Sequence, residues 1–358
     1  MTKDYLQIQE NVPLAPLTTL GVGGAARFFA VIESETQLAE AETFRRKHHL
    51  PGFVLGGGSN LVVADEGFSG LVLKIAIPGI EADPRKQGRV VAGAGVEWDE
   101  FVQYCVSRDL AGVEALSGIP GMVGSAPIQN IGAYGQEVGN AIASVQAWDT
   151  KKDTSVELSR EQCRFGYRES IFNTPQASGR YIVLRVTFEL KPQGAPSLQY
   201  VELSRRFAGK ANPSLREVRD VVLAIRQSKG MVVSQDDPDS KSAGSFFKNP
   251  VISENDFARR QEQIRTLGII APEENIPCFD APDANVKLSA AWLIEHAGFC
   301  KGYALGRAGI SGKHSLAIIN RGGASAEEII NLMKLIQERV RETFDIQLQP
   351  EPVFVGFN

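Results

Sequence analysis

Ser245 and Lys248, in the stretch SAGSFFKNP (242–250), spell S-x-x-K, the nucleophile signature of penicillin-binding proteins and serine β-lactamases. In those enzymes the signature opens a helix that brings the lysine under the serine one turn later. Here Asn249 precedes Pro250, and a residue before proline avoids the helical region. The companion K-T-G is absent from the sequence. The pattern therefore does not predict an acyl-enzyme, and Ser245 taken alone is typical of a turn cap.

A glycine-rich segment offers a different chemistry. The first glycine loop, LGGGSNLVV (55–63), places three glycines, a serine and an asparagine between two strand-like runs. Consecutive glycines let backbone N–H groups converge on an anion, and Ser59 adds a hydroxyl donor. The loop therefore fits a diphosphate without a lysine, although taken alone it is as typical of a tight β-turn.

A second glycine-rich segment favours the diphosphate interpretation. The second glycine loop, LSGIPGMVGSAPIQNIGAYG (116–135), is longer than a simple connection between two elements needs, and loops of this length are usually functional. Two such loops from one α/β region could hold a dinucleotide from both sides, and Gln129 and Asn130 supply neutral donors for the edge of a flavin. Residues 21–26 also match G-x-G-x-x-A, but the strand-like ARFFAVI follows where that fingerprint needs a helix, which argues against a Rossmann fold.

Strand-like and helical patterns alternate around these loops. The predicted strands are ARFFAVI, GFVLGG, NLVVAD, LVLKI, GRVVAGAG, SVQAWD and YIVLRVTFELK. One helix is predicted after Ser34, where S-E-T-Q reads as a capping box. Another follows Gly95, and its apolar face carries Trp98, Phe101, Val102 and Cys105.

A second region begins near Ser214. S-L-R-E there reads as a capping box, and the apolar residues that follow have helical spacing: Val218, Val221, Val222 and Ile225. LSAAWLIEHAG predicts a helix that ends at Gly298. Ser325 and Glu328 are predicted to cap a long helix through about Phe344, and the prolines of IQLQPEPVFVGF favour an extended tail.

Composition excludes several classes of function. A chain of 358 residues predicts two or three domains, and its net charge of -4 gives no general attraction for nucleic acid or anionic membranes. The 4 cysteines and 4 histidines lack metal-ligand spacing, which predicts free thiols and no metal site. MTKDYLQIQENVPL lacks the apolar core of a secretory signal, and no run approaches transmembrane length. We therefore predict a cytoplasmic protein.

Six motifs in the same order carry a resemblance to a known family. GGGSN, SGIPGMVGSAPIQNIGAYG, CRFGYRESIF, AGSFFKNP, KLSAAWLIE and QPEP resemble UDP-N-acetylenolpyruvoylglucosamine reductases, and the likeness runs from about Leu17 to Gly356. It implies an α+β fold: a two-part FAD-binding module of the vanillyl-alcohol-oxidase (PCMH) type plus an α+β substrate-binding domain. The implied segments are FAD-binding subdomain 1 at 1–75, joined by the C-terminal strand 346–358, FAD-binding subdomain 2 at 76–212, and the substrate-binding domain at 213–345.

The resemblance also implies a reaction. NADPH would reduce non-covalently bound FAD, and FAD N5 would pass hydride to UDP-N-acetylglucosamine enolpyruvate, giving UDP-N-acetylmuramate for peptidoglycan. Negative charge then builds on the substrate carboxylate, which the planar guanidinium of Arg168 is suited to hold. Glu351, if protonated, would add a hydrogen bond. Ser245 matches the family's proton donor to the enol carbon beside the carboxylate.

Binding residues follow from the same motifs. The implied cofactor-binding set is Gly56, Gly57, Gly58, Ser59, Asn60, Leu61, Ser117, Ile119, Pro120, Gly121, Gly124, Ser125, Gln129, Asn130, Gly132, Ala133 and Arg168. The implied substrate-binding set is Tyr134, Tyr167, Tyr200, Lys229, Asn249 and Lys287. QYVEL at Tyr200 resembles the form of the family that closes a tyrosine loop over substrate. Lys248 and His314 are cationic candidates that are as typical of surface or packing residues. Val353 and Phe354 stand where the family often has a basic residue.

Two other functions stay open. An FAD-dependent sugar or alcohol oxidase of the same superfamily would share the FAD module, but it predicts no AGSFFKNP and often tethers FAD through His or Cys. A nucleotide-sugar sensor would bind a UDP-sugar without turnover. Taken singly, Arg168 and Glu351 are typical of surface charges, and the ordered motifs favour catalysis. The predicted partners are UDP-N-acetylglucosamine enolpyruvate and NADPH, with no nucleic acid, no membrane and a monomeric state.

Overall fold

The computed structural model describes residues 5–177, 179–210, 212–271 and 273–357. The helices are α1 Glu35–Lys47, α2 Trp98–Ser107, α3 Arg160–Cys163, α4 Val201–Arg206, α5 Leu215–Ser228, α6 Glu254–Thr266, α7 Ala290–His296 and α8 Ala326–Phe344. The strands are β1 Ile8–Pro13, β2 Ala25–Ile32, β3 Gly52–Leu55, β4 Leu61–Val63, β5 Phe68–Ile75, β6 Ile80–Ala82, β7 Arg89–Gly93, β8 Leu110–Ala111, β9 Gly132–Ala133, β10 Gln136–Glu137, β11 Ile142–Asp149, β12 Thr154–Ser159, β13 Tyr181–Glu189, β14 Lys191–Pro192, β15 Val251–Ser253, β16 Cys278–Ala281, β17 Asn285–Leu288, β18 Ala304–Leu305, β19 Ala308–Ile310, β20 Ile318–Asn320 and β21 Val353–Val355.

The described residues form two compact units. Unit 1 takes them from Met1–Val12, Ala25–Gly58 and Phe68–Val232, and unit 2 takes them from Pro13–Gly24, Ser59–Gly67 and Val233–Asn358. In this division α5 belongs to unit 1. The division into segments 1–75, 76–212 and 213–345 stays a prediction.

Unit 1 is built on two sheets. The first has strand order β1-β2-β5-β3, and β2 and β3 both run parallel to β5, so α1 is the connection between β2 and β3. The second is antiparallel with order β12-β11-β13-β7-β6. ARFFAVI forms β2 rather than a helix, and this confirms that residues 21–26 are no Rossmann fingerprint.

Helix α2 carries the apolar face that its sequence predicts. Trp98, Phe101, Val102 and Cys105 are all buried. The Phe101 ring lies 4.2 Å from that of Phe188 on β13. The Trp98 indole N–H donates to the carbonyl of Leu116 at 2.9 Å, so burying α2 also holds the start of the second glycine loop.

Local capping signals set the helix starts, with one correction. Ser214 and Ser325 form complete capping boxes with Glu217 and Glu328 at the starts of α5 and α8. Ser34 accepts a hydrogen bond from the amide of Gln37 at 3.3 Å, but the Gln37 side chain accepts from the amide of Glu33 and not from that of Ser34. The capping box predicted at Ser34 is therefore wrong in its second half, and Ser34 is a simple N-cap.

Unit 2 contains small sheets and the long helix α8, which contribute to one buried core. The sheets have orders β15-β17-β16 and β18-β19-β20, and β21 pairs in parallel with β4. Helix α8 ends at Phe344, as predicted, and α7 ends before Gly298, whose φ is +95°. The buried side chains of α8 are Ala326, Ile329, Leu332, Met333, Ile336, Val340 and Phe344.

Candidate active site

The two glycine loops approach each other within unit 1. A Cβ atom added to Gly57 would lie 2.6 Å from the Cα of Gly121, and one added to Gly56 would lie 2.1 Å from Ser125 Oγ. Only glycine allows backbones to come this close. Among the described residues, the amides of Gly57, Gly58 and Gly121 donate no hydrogen bond to a protein group, so they can serve a phosphate. These loops therefore fit a dinucleotide cofactor.

Replacing Gly57 by alanine is expected to weaken FAD binding about tenfold. The added methyl group must push the second glycine loop away, and overpacking of this kind costs about 1–3 kcal/mol. Titration of FAD into the apoprotein, followed by flavin fluorescence, measures the change. Gly312→Ala is the control. A Cβ added there lies 3.4 Å from the tip of the Asp239 side chain, which can move aside, rather than against a backbone. Equal FAD affinity in the Gly57 and Gly312 variants would show that the loop contact does not shape the site.

Gly118, in the second glycine loop, is held by hydrogen bonds to both its backbone amide and its backbone carbonyl. Its amide donates to Asp99 Oδ1 at 2.6 Å, and its carbonyl accepts from Arg226 Nε at 3.1 Å. Arg219 donates to both carboxylate oxygens of Asp99 at 2.6 Å. Burial disfavours the charged form of Asp99, but the hydrogen bonds from Arg219 and Gly118 outweigh it and hold the pKa of Asp99 below its usual value.

No sequence motif indicated a role for Asp99, Arg219 or Arg226. Arg226 is only 7% exposed and falls on the same helical stripe as Val218 and Val222. A charged residue on an apolar stripe usually has a buried partner, so this position was a readable signal. The sequence did not indicate which groups Arg226 would contact. These are the Gly118 carbonyl and the Met231 carbonyl, the latter 2.8 Å from Nη2.

Arg168 lies in a tight turn beside the second glycine loop. Gly166 and Glu169 exchange backbone hydrogen bonds of 3.0 and 3.2 Å, which leaves Tyr167 and Arg168 at the tip. Arg168 has a φ of +57°, a conformation that costs a non-glycine residue about 1–3 kcal/mol and is concentrated at functional sites. Its Nη2 donates to the Gly132 carbonyl at 3.0 Å, and its guanidinium lies 5.5 Å from the centre of the Tyr167 ring.

Asn130 holds this turn in place. The side chain is 1% exposed, and its Oδ1 accepts from the amide of Gly139 at 2.8 Å. Its Nδ2 donates to Glu137 Oε2 at 3.0 Å and to the Gly166 carbonyl at 2.9 Å. The side-chain amide, suggested above as a donor to a flavin, is thus engaged inside the protein. We still predict a contact between Asn130 and the cofactor, but through its backbone.

Three predicted substrate-binding residues meet in unit 1, and we call them the tyrosine–lysine cluster: Tyr134, Tyr200 and Lys229. The Tyr134 and Tyr200 rings meet edge to face with centres 5.4 Å apart, and Lys229 Nζ lies 6.0 Å from the Tyr134 ring. Tyr134 has a φ of +48°. Burial raises the pKa of Tyr134 to about 12, against the opposing charge of Arg226, so its hydroxyl stays a hydrogen-bond donor.

Ser245 and Glu351 lie on neighbouring backbone segments of unit 2. The Phe246 amide donates to the Leu316 carbonyl at 2.8 Å, and the Phe246 carbonyl accepts from the Glu351 amide at 2.9 Å. Phe246 and Phe247 are buried, whereas Ser245 is half-exposed. The segment from Ser245 to Lys248 is not helical, as the Asn249-Pro250 pair predicted: Ser245 is in a bend and Phe247 forms an isolated antiparallel bridge with Pro350, so no helix places Lys248 under Ser245.

The end of the first glycine loop joins these segments in unit 2. Asn60 Nδ2 donates to the Glu351 carbonyl at 3.2 Å, and the Asn60 carbonyl accepts from the Val353 amide at 3.0 Å. Thr19, which sequence analysis did not single out, donates from its hydroxyl to the Ser242 carbonyl at 2.6 Å and contacts the Ser59 carbonyl at 3.4 Å. These bonds connect Ser59, Asn60 and Glu351 with Ser242 and Phe246, which flank Ser245 in unit 2, while Arg168 belongs to unit 1.

The other predicted substrate residues of unit 2 lie on or beside a small sheet. Asn249 Oδ1 accepts from the amide of Ala290 at 3.0 Å and so anchors the start of α7. Lys287 is on the central strand β17, between Val251 and Phe279 on its neighbours, and its Nζ lies 6.0 Å from the Phe279 ring. His314 is half-buried, and its amide donates to Ser311 Oγ at 3.2 Å.

The remaining predicted cofactor residues divide into anchors and surface positions. Ser117 is buried and donates to the Glu114 carbonyl at 2.7 Å, so it anchors the loop. A Cβ on Gly124 would lie 2.5 Å from that of Ala94, which makes Gly124 a packing glycine. Leu61 begins β4 and is buried, and Gly132 and Ala133 form β9. The half-exposed positions are Ile119, Pro120 and Gln129.

The four cysteines are free thiols. Burial raises the pKa of Cys105 above its usual range and that of Cys163 to about 12, so both stay protonated at neutral pH. Cys278 and Cys300 are exposed free thiols. Over the residues that the structure describes, no group of three or more His, Cys, Asp or Glu could hold a metal ion. No helix in that part of the chain is long and apolar enough to span a membrane.

Comparison with known proteins decides the family. A family model described as UDP-N-acetylenolpyruvoylglucosamine reductase, C-terminal domain, matches residues 236–355, and an FAD binding domain model matches residues 26–159. A UDP-N-acetylenolpyruvoylglucosamine reductase of Thermobifida fusca is 47% identical over 97% of each chain. The chain belongs to the UDP-N-acetylenolpyruvoylglucosamine reductase family. It is therefore an FAD-binding oxidoreductase with an α+β fold, in which an FAD-binding module of the PCMH type is joined to a substrate-binding domain.

More distant members of the UDP-N-acetylenolpyruvoylglucosamine reductase family match over the same length. The reductase of Dechloromonas aromatica is 38% identical over 96% of this chain and 98% of its own. The crystal structure of the reductase from Thermus caldophilus superimposes with a TM-score of 0.67 at 27% identity, covering 98% of this chain and 100% of its own. The FAD binding domain model includes both glycine loops, and the reductase C-terminal model includes Ser245 and Glu351.

Proposed function

We propose that this protein reduces UDP-N-acetylglucosamine enolpyruvate to UDP-N-acetylmuramate in peptidoglycan biosynthesis, with NADPH as reductant and FAD bound non-covalently. The observation that carries the proposal is the hydrogen bond between the Phe246 carbonyl and the Glu351 amide, which sets the Ser245 and Glu351 segments side by side. An oxidase has no need for this pair. We further propose that the enzyme acts as a cytoplasmic monomer.

The chain's own residues handle charge and protons in this proposal. Bound FAD supplies the means to take hydride from NADPH and deliver it to the terminal enolpyruvyl carbon. Arg168 holds the substrate carboxylate while its negative charge grows, and the hydrogen bond to Gly132 fixes the plane of the guanidinium. Ser245 gives its hydroxyl proton to the carbon beside the carboxylate, and Glu351 adds a hydrogen bond to the substrate. One hydride and one proton thus saturate the double bond.

Within unit 1, substrate binding falls to the tyrosine–lysine cluster. Lys229 offsets the charge of the UDP diphosphate, and the hydroxyls of Tyr134 and Tyr200 donate hydrogen bonds to it. The segment at Tyr200 is the tyrosine loop that covers the bound substrate. Tyr167, Asn249 and Lys287 complete the proposed contacts.

Separate half-reactions test this function. Under anaerobic conditions, NADPH is expected to bleach the absorbance of bound FAD, and UDP-N-acetylglucosamine enolpyruvate is then expected to restore it with one UDP-N-acetylmuramate formed per flavin. Acid precipitation should release FAD into the supernatant, as non-covalent binding requires. Fast flavin oxidation by O₂ after reduction by a sugar or alcohol, with no response to the enolpyruvyl substrate, would favour the oxidase. Binding of a UDP-sugar without flavin oxidation would favour the sensor.

A further inference from the structure

Glu202 places a carboxylate inside the tyrosine–lysine cluster. Its Oε2 accepts a hydrogen bond from Lys229 Nζ at 2.9 Å. Glu202 also lies close enough to Tyr134 for its charge to oppose ionisation of that hydroxyl. The cation proposed to bind the substrate diphosphate therefore already has an anionic partner within the protein. Nothing in the function proposed above uses Glu202.

We propose, on the basis of the proposed function, that Glu202 is a specificity-determining residue that competes with the diphosphate of a UDP-sugar for Lys229. A diphosphate beside Lys229 would face the Glu202 carboxylate, and like charges at close range repel. Binding therefore requires the Glu202 side chain to leave Lys229. A diphosphate carries enough charge to displace one carboxylate, whereas an uncharged ligand gains nothing from the exchange.

The local structure makes this exchange a side-chain event. Glu202 is in the first turn of α4, which begins directly after Tyr200. The next residue, Leu203, is fully buried against Val218 and Val222 of α5, so α4 stays anchored when Glu202 rotates. The side chains of Lys229 and Glu202 are 35% and 36% exposed, which leaves both accessible to water and to an incoming anion. An ion pair so exposed contributes little to folding, and the variants below should remain folded.

UDP binding to the FAD-loaded protein tests the inference. Calorimetric titration is expected to show about two- to fivefold tighter UDP binding for Glu202→Gln, the range that removal of one partly exposed charge interaction supports. Uridine, which lacks the diphosphate, should bind both proteins equally. Glu189→Gln is the matched control, because it removes the same charge from a pair with Lys86 elsewhere in unit 1 and should leave UDP affinity unchanged.

A second pair of variants shows whether the effect runs through Lys229. In a Lys229→Gln background, Glu202→Gln should tighten UDP binding much less than in the wild-type background, because no cation is left to compete for and only the direct repulsion is relieved. In steady state, Glu202→Gln should lower KM for the UDP-sugar while the rate of FAD reduction by NADPH stays the same.

The outcomes separate this inference from the proposed function. Equal UDP affinity in wild type and Glu202→Gln overturns the competition and leaves the proposed function standing. Equal tightening of UDP and uridine also overturns it, because the effect would then not depend on phosphate charge. Failure of the wild-type protein to bind UDP at all would overturn the UDP-sugar function together with the inference.

Discussion

Ser245→Ala is expected to leave reduction of FAD by NADPH intact and to slow reduction of the enolpyruvyl substrate by about 10²–10⁴. The substitution removes only the hydroxyl, and hydride delivery alone cannot complete the saturated product without a proton. Phe246 and Phe247 remain buried, so the segment should keep its position. Anaerobic stopped-flow spectroscopy, with NADPH and the enolpyruvyl substrate mixed in separate steps, resolves the two rates.

A conservative variant separates proton donation from a structural effect. Ser245→Cys retains a proton donor at the same place and should recover part of the lost rate, while FAD content and the free energy of unfolding should match in both variants. An alanine variant that reduced the substrate at the wild-type rate would show that the proton comes from another group. Slowing of both half-reactions to the same degree would point to a damaged FAD site.

Arg168→Lys is expected to lose about 10²–10³ in the rate of substrate reduction, the usual effect of removing one donor to developing negative charge. Lysine keeps the charge, but a point charge cannot hold the Gly132 carbonyl and both oxygens of a carboxylate in one plane. The loss should appear in the second half-reaction under the same stopped-flow protocol.

Arg164→Lys is the matched control for this change. Arg164 also has a positive φ, of +50°, but it is exposed and ends α3. Because Arg164 is exposed and has no proposed role, Arg164→Lys should behave as wild type in both half-reactions. It therefore controls for any general effect of lysine at a left-handed position. Equal, wild-type rates for Arg168→Lys and Arg164→Lys would rule out Arg168 as the carboxylate-binding residue.

The most successful sequence predictions were those that depend on neighbours along the chain. The capping boxes at Ser214 and Ser325 start α5 and α8, and Asn249-Pro250 keeps Ser245 out of a helix. The prediction at Ser34 was right about the cap and wrong about the box. A glutamine side chain there had two amides within reach, and short-range spacing does not choose between them.

Residue types alone did not assign partners between distant segments. Asn130 has the donors that a flavin edge requires, yet packing turns them toward Glu137 and Gly166. Lys229 has the charge that a diphosphate requires, yet it lies against Glu202. In both cases the residue type correctly indicated what the side chain can bind, but it did not indicate which residue the side chain contacts in the fold.

The sequence by itself determined five of the helices (α1, α2, α5, α7 and α8), the strands of the FAD-binding module that its apolar runs predicted, the absence of a helix at Ser245 and, through six ordered motifs, the family. These features follow from interactions a few residues apart or from order along the chain. Only the tertiary structure decided that Gly57 meets Gly121, that Asp99 and Arg226 hold Gly118, and that Phe246 pairs with Glu351. Such contacts join residues far apart in the chain, and their geometry depends on how whole sheets and helices pack, which no local pattern encodes.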